Sequence, residues 1–526
     1  MVLTLHRYVF RELIRIFLLA TVALTVILSL GLILQPIQKY GIGPEQVPHL
    51  LTFFVPITLT YVLPMAALFA ATLVYGRLAG DNELTACKAS GVSPLTLIYP
   101  GCLLGLLVAM ANLVLSFHVM PYFFHRAEYA IKADAKQILF RNIQRRGFFL
   151  DPDGGFAIYA DHAQPKQDLL TGVIVLKMSD GSASTLIAAE AAKISFTDKG
   201  QTNAVQIAAT GVTEIKEVSA FRSRNASFSA PFGSILPDEI AFKRLDEMKD
   251  IRDDLLIFRP IEKEAKKTCA QFATELLARD IQQALDQDRF FELTGEPTSI
   301  RFRADRCRPV ARSEIELTGH VDVTEVDGTT GRPGERLVWE KASLYLEGDP
   351  LALTITLDLH NANAANTPNV IGRNVVPDLR LPESIERLLY SEDLLAVLQP
   401  DFIKAQLGDK MSQDLETLSG FLKFVMALTL VQIDAEIHSR LVFGLGCVPM
   451  ILIGIGLGIL LRGGHMLTAF GSSCLPAVVL ILCAVSGRHV AENPDATAVV
   501  GFSIMWAGLA SLWITALVIF RRVYRG

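Results

Sequence analysis

The side chains that usually carry covalent chemistry are present in this chain but not gathered. His320, Asp322, His360 and His438 stand apart, with neither an H-E-x-x-H zinc signature nor a G-x-S-x-G nucleophile elbow around them. Asp434 and His438, four residues apart, read more simply as a helix-surface pair than as a metal site. The seven cysteines show no C-x-x-C spacing, which argues against a zinc site and against a disulfide framework. No G-x-x-x-x-G-K-[ST] phosphate loop occurs, so any ATP that drives this protein must be bound elsewhere. The chain therefore reads as a non-enzyme, with no catalytic residue, metal ligand or cofactor site expected. A net charge of -5 with 20% charged residues also removes nucleic acid as a main partner.

What remains is the chemistry of recognition. The stretch from Arg77 to Pro94 reads as one short helix over about 81–91. Asp81 can cap its first N–H groups and Glu83 complements its positive end. Gly91 can supply a left-handed C-cap before Pro94 forbids continuation. With small residues along it (Ala86, Ala89, Ser90), the helix suits either a connector lying on the membrane surface or a piece that inserts into a partner's groove. Glu436 and Arg440, four apart, read as an i,i+4 ion pair at a membrane edge, or as a hinge there.

These residues are positioned by apolar runs. A mean hydropathy of +0.37 over 526 residues, 51% of them hydrophobic, points to a membrane protein. Six windows meet the requirement of about 20 residues without charge: Ile16 to Gln38, Gln46 to Gly76, Ala89 to Phe117, Leu441 to Leu461, Met466 to Gly487 and Ala496 to Phe520. The run Phe424 to Ile433 is too short and reads as a packed helix. If the N-terminus is cytoplasmic, the inner segments hold nine basic residues (Arg7, Arg11, Arg15, Arg77, Lys88, Arg462, Arg521, Arg522, Arg525). The short outer loops then hold two, Lys39 and Arg488. Both termini are thus expected inside, and the segment 118–440 outside, which in a bacterium is the periplasm. Pro56 and Pro64 fall within the second window, and Gly444, Gly446, Gly454, Gly456 and Gly458 line the fourth, suiting close bundle packing or a seam that opens.

The exported segment alternates as strands do. A first group comprises Phe156 to Ala160, Val173 to Met178, Ile194 to Thr197, Val205 to Ala209 and Ser227 to Ser229. A second comprises Ser299 to Phe302, Glu314 to Val326, Leu337 to Glu347 and Leu351 to Leu359. Helical insertions are expected over 237–293, with Leu276, Leu277, Ile281 and Leu285 at helical spacing, and over 382–436. Cys269 and Cys307 are either bonded or two free thiols. The expected fold is a six-helix, 3+3 membrane bundle with an inserted β-jellyroll-like domain, divided as 1–117, 118–440 and 441–526.

The chain resembles the LptF/LptG family, transmembrane subunits of the ABC transporter that extracts lipopolysaccharide from the bacterial inner membrane. The resemblance rests on Arg7-Tyr8, on Asn82-Glu83-Leu84 and Ala89-Ser90-Gly91, on Glu436-Ile-His-Ser-Arg440, and on the order of spans around a β domain. It implies that the helix near Asn82 is a coupling helix docking on a cytoplasmic LptB-like ATPase, with Asp81, Glu83, Lys88 and Gly91 as its coupling residues. It further implies a second LptF/LptG-type permease, periplasmic LptC/LptA-like bridge proteins, and lipopolysaccharide or a related lipid as cargo. Lys39 would contact a phosphate or anionic sugar of that lipid, although a lysine snorkelling to the interface would look the same. The insert is longer than the family's minimal jellyroll. Rival readings are an envelope receptor or scaffold with a periplasmic β domain, and a membrane-embedded hydrolase or transferase.

Overall fold

The computed structural model of the protein describes residues 2–40, 47–133, 135–151, 155–179, 182–198, 203–216, 219–231, 238–295, 298–310, 313–327, 333–349, 352–363, 371–390, 393–408, 411–460, 466–493 and 497–525. The chain opens with helices α1 (Val2–Tyr40), α2 (Val47–Gly80), α3 (Glu83–Ala89), α4 (Pro94–Val114), α5 (Met120–Ala133) and α6 (Ala135–Arg146). Strands β1 (Phe148–Leu150), β2 (Phe156–Gln164), β3 (Leu169–Ser179), β4 (Ser182–Asp198), β5 (Asn203–Lys216) and β6 (Ser219–Pro231) follow. Next come α7 (Leu245–Asp253), α8 (Arg259–Asp286), β7 (Phe291–Leu293), β8 (Thr298–Arg303), β9 (Arg306–Val310), β10 (Glu314–Asp327), β11 (Pro333–Asp349), β12 (Ala352–Asn363) and β13 (Ile371–Arg380). The chain closes with α9 (Glu383–Leu389), α10 (Leu394–Val397), α11 (Pro400–Leu407), α12 (Gln413–Leu460), α13 (Met466–Ala491) and α14 (Ala498–Arg525). Two compact units result, Met1–Lys249 with Val431–Gly526, and Asp250–Leu430.

Among the described residues five helical stretches are long and apolar enough to cross a membrane: Leu3–Gly31, Phe54–Gly80, Leu95–Tyr129, Gln413–Leu460 and Ala498–Tyr524. The fifth expected window corresponds to α13, where the apolar stretch among the described residues is the shorter Leu475–Ala491. Two boundaries differ from expectation. The third window continues past Phe117, because α4 passes into α5 through a π-helical turn, Leu115–Val119. The short helix expected at Phe424 to Ile433 and the span expected from Leu441 are one 48-residue helix, α12. Of the charges that seemed to separate them, Asp434, Glu436 and Arg440, the last two bond to one another and are buried, so they do not interrupt it.

Two features let the first unit's helices pack in a low-dielectric surrounding. Pro64 has no N–H to give the Thr60 carbonyl four residues back, and Asn112 of α4 replaces it, its Nδ2 donating to Thr60 O at 2.6 Å. The glycines of α12 close its seam with α2. A Cβ at Gly458 would stand 2.8 Å from both Gly76 N and Thr72 O, and one at Gly454 2.9 Å from Leu68 O, so only hydrogen fits there.

The expected jelly roll is corrected to two meanders. β1 to β6 pair antiparallel in sequence order, and the second sheet runs β13-β12-β11-β10-β8-β7 with β9 also beside β10. Strands joined by a few residues form hairpins with their sequence neighbours, whereas a jelly roll needs long crossing connections. The first sheet buries one face, including Ile158, Val173, Ile187, Ile194, Val205 and Ile207, in a core shared with Phe54 and Ile57 of α2, Phe124 of α5 and Ile138 to Phe140 of α6. The second sheet lies in the second unit, where α8 packs beside β9 to β11. Its residues Cys269, Phe272, Leu276, Leu277 and Ile281 are buried, as the helical spacing predicts. Glu275 is buried too, accepting from Ser412 N at 3.1 Å and from the Ser412 hydroxyl, while Ser412 Oγ accepts from Leu415 N and caps α12. Cys269 and Cys307 are separate thiols, each pushed by burial up to about 12.

Candidate functional site

The loop between α2 and α4 forms the helix that its sequence predicts, with a different start. Asn82, not Asp81, holds the N-cap position, in the left-handed region (φ 60°) that asparagine tolerates, and no side chain bonds the first N–H groups. Asp81 lies one residue too early to reach them; its own N–H is used at Arg77 O, 2.9 Å away. Glu83 stands at the first helical position, where its charge favours the exposed N–H groups. The other end closes as expected. Gly91 takes φ 79°, its N–H donates to Lys88 O at 3.0 Å and Val92 N–H to Cys87 O at 3.1 Å, the paired bonds of a Schellman motif.

Leu84 is the one buried residue of α3, while Glu83, Thr85, Ala86, Lys88 and Ala89 are exposed. It enters a cluster with Val9 and Leu13 of α1, Tyr75 and Leu78 of α2, and Leu97 and Ile98 of α4. Burying a leucine contributes about 1.5–3 kcal/mol, enough to hold a seven-residue helix that would not persist alone. Two bonds that the sequence reading missed fasten the surrounding helix ends. Arg77 Nη1 meets Glu12 Oε1 at 3.0 Å. Pro100 leaves the Thr96 carbonyl without its helical donor, and His6 Nε2 supplies one at 2.8 Å. Partners 65 and 90 residues apart carry no local signal, yet a proline within an apolar helix itself announces an orphaned carbonyl that some donor must meet. Together they make a rigid, capped, solvent-facing helix fixed to three spans.

At the other end of the bundle, Glu436 and Arg440 form the expected i,i+4 pair, Nε to Oε1 at 2.8 Å, with side chains only 8% and 3% exposed. Glu436 Oε2 also accepts from Arg488 Nη1 of α13 at 2.8 Å, and Arg488 Nε donates to Glu492 at 3.0 Å. Arg440 Nη2 donates to the carbonyls of Ala241 and Lys243 at 2.9 and 3.0 Å, and its guanidinium lies over Phe117 at the π-helical turn. This knot ties α12 to α13 and to the segment after the first sheet, within an unbroken helix. The Lys39 side chain lies outside the described residues. Along α12 and α14 an apolar groove of about 400 Å³ is lined by Leu452, Trp513, Ile514, Ala516, Leu517 and Phe520. The dispersed histidines have separate partners: His320 beside Asp305 at 3.5 Å, His360 beside Asp358 at 3.4 Å, and His438, whose Nδ1 accepts from Trp506 Nε1 at 3.2 Å.

Residues 7–230 match the family model of the Lipopolysaccharide export system permease LptF/LptG. The match takes in most of α1 through almost all of β6, the stretch that carries α3 and the first sheet. No curated protein matches the chain.

Proposed function

From the match of residues 7–230 to the LptF/LptG permease family model, we propose that this membrane protein is the permease subunit of an ABC transporter that moves lipopolysaccharide or a related envelope lipid out of the inner membrane. A separate cytoplasmic LptB-like ATPase binds the ATP. Six spans in a 3+3 layout, with α13 as the fifth, put both termini and α3 in the cytoplasm, as the basic-residue count requires. The segment 118–440 then stands in the periplasm, where its sheet hands lipid to LptC/LptA-like bridge proteins. A second LptF/LptG-type permease completes the cavity. Asp81, Glu83, Lys88 and Gly91 form the ATPase contact, Lys39 meets an anionic group of the lipid, and Glu436 with Arg440 orients the periplasmic end of α12.

The observation that carries this reading is α3: capped at its C-terminus, anchored by Leu84 with the half-buried Cys87 beside it, and exposed at its five other residues. A mere connector has no need of a fixed helix held by side-chain bonds on both flanks. The test is recovery of proteins bound to the tagged chain from its native membrane, with and without Glu83→Lys. A soluble ABC ATPase and a second permease recovered with the parent, and the ATPase lost from the variant, are expected. A folded chain that brings down no ATPase would favour the envelope receptor.

A further inference from the structure

The start of α1 meets the α2–α3–α4 segment at three points to which docking alone gives no role. Glu12 bonds Arg77, which precedes α3, and Arg77 also lies within electrostatic range of Glu83. His6 bonds Thr96 O, which follows α3; because a carbonyl only accepts, Nε2 carries the hydrogen. Between them Val9 and Leu13 share the cluster that holds Leu84. His6, Val9, Glu12 and Leu13 recur at helical spacing on one face of α1. That face grips the α3 segment on both its arms and at its only buried side chain.

The rest of α1 packs on α2 along one side, through Ala20 with Val62 and Ala66 and through the buried Ser29–Thr58 hydroxyl pair at 2.9 Å, and leaves its other flank open. Only 22% of its apolar window is buried, against 67% for the windows of α2 and α12, and Leu18, Leu19, Val22, Val26 and Ile27 are exposed. A helix that holds both arms of the α3 segment and has one flank open is a part of the bundle that a push on α3 can displace. We infer that α1 receives the movement of α3, with Glu12 and His6 as positioning residues that transmit it through Arg77 and the Thr96 carbonyl.

The inference rests on the reading of α3 as the ATPase contact, and the test separates the two. The full complex with its ATPase and second permease is placed in liposomes containing lipopolysaccharide. ATPase retention and lipid released per ATP hydrolysed are compared for the parent, Glu83→Lys, Glu12→Gln, and the exchange Glu12→Arg with Arg77→Glu. Glu12→Gln is expected to keep its ATPase while release per ATP falls about fivefold, the upper range for a part-exposed ion pair. The exchanged pair restores at least half of the release. Release within twofold of the parent in Glu12→Gln, loss of its ATPase, or failure of the exchange to restore coupling would each overturn the inference. Retention of the ATPase by Glu83→Lys would instead overturn the docking reading, and the inference with it.

Discussion

Replacing Glu436 by glutamine tests whether the ionic knot holds the far end of the bundle. Glu436 accepts two charge-assisted bonds of 2.8 Å, from Arg440 Nε and Arg488 Nη1, and its side chain is 8% exposed. Breaking one side of a buried pair costs about 3–5 kcal/mol, because the surviving charge is left without its counterion. Arg488 is 30% exposed and keeps Glu492, so its share falls to about 1 kcal/mol or less. Arg440, 3% exposed and left only its two carbonyl partners, bears the rest, for a loss of roughly 3 kcal/mol. The assay is the fraction of detergent-solubilised chain that stays monodisperse after heating, and the midpoint should fall by roughly 3–4 °C. Glu492→Gln removes only the outer bond and should cost about 1 kcal/mol or less, an effect that high salt erases. A Glu436→Gln shift no larger than that of Glu492→Gln, or equally erased by salt, would refute the assignment of the stabilisation to a buried charge.

Two further outcomes follow from the same geometry. Gly458→Ala puts a Cβ 2.8 Å from backbone atoms of α2 and should cost about 1–3 kcal/mol, whereas Gly420→Ala, with nothing within 4 Å, should be neutral or stabilising by up to about 1 kcal/mol; midpoints moving the same way would contradict the seam. Burial alone would raise the Glu247 carboxyl. His125 Nε2 at 3.1 Å and the Arg244 N–H at 2.9 Å outweigh it and hold the group at about 2, against an ordinary 4.5. Its stabilising contribution is therefore complete above about pH 4.5 and lost as the pH falls toward 2. The drop in melting midpoint between pH 5 and pH 3 should shrink in Glu247→Gln, and an unchanged drop would count against it.

The spans were legible because burial in lipid demands unbroken apolarity, and that demand is written residue by residue. It also misled: Glu436 and Arg440 ended a window although α12 runs through them, since two opposite charges four apart can neutralise each other inside a helix. The strands were legible where β-branched residues alternate and invisible where they do not. β4 spans Ser182–Asp198, yet its alanines from Ala188 to Ala192 carry little β preference, and only Ile194 to Thr197 announced it. β13 was missed because Pro377, Asp378 and its arginines argue against a strand. At α3 the helix and its glycine stop were visible from local chemistry, while Glu12 and His6 were not, because their partners are chosen by how helices pack.

Two of the prolines inside the bundle connect these observations. In lipid no water can satisfy a freed carbonyl, so Pro64 and Pro100 persist only because Asn112 and His6 meet Thr60 O and Thr96 O. Each proline thereby binds its own helix to a neighbour, α2 to α4 and α4 to α1. Paired charges stand at both ends of the bundle: Glu12 with Arg77 beside the His6–Thr96 bond at the α3 end, and Glu436, Arg440, Arg488 and Glu492 at the other. The flanks of α1 and α14 present apolar side chains such as Val22, Val26, Ile514 and Leu517 to whatever surrounds them, and Ile514 and Leu517 line the groove along α12 and α14. Surfaces of that chemistry take acyl chains or another apolar helix.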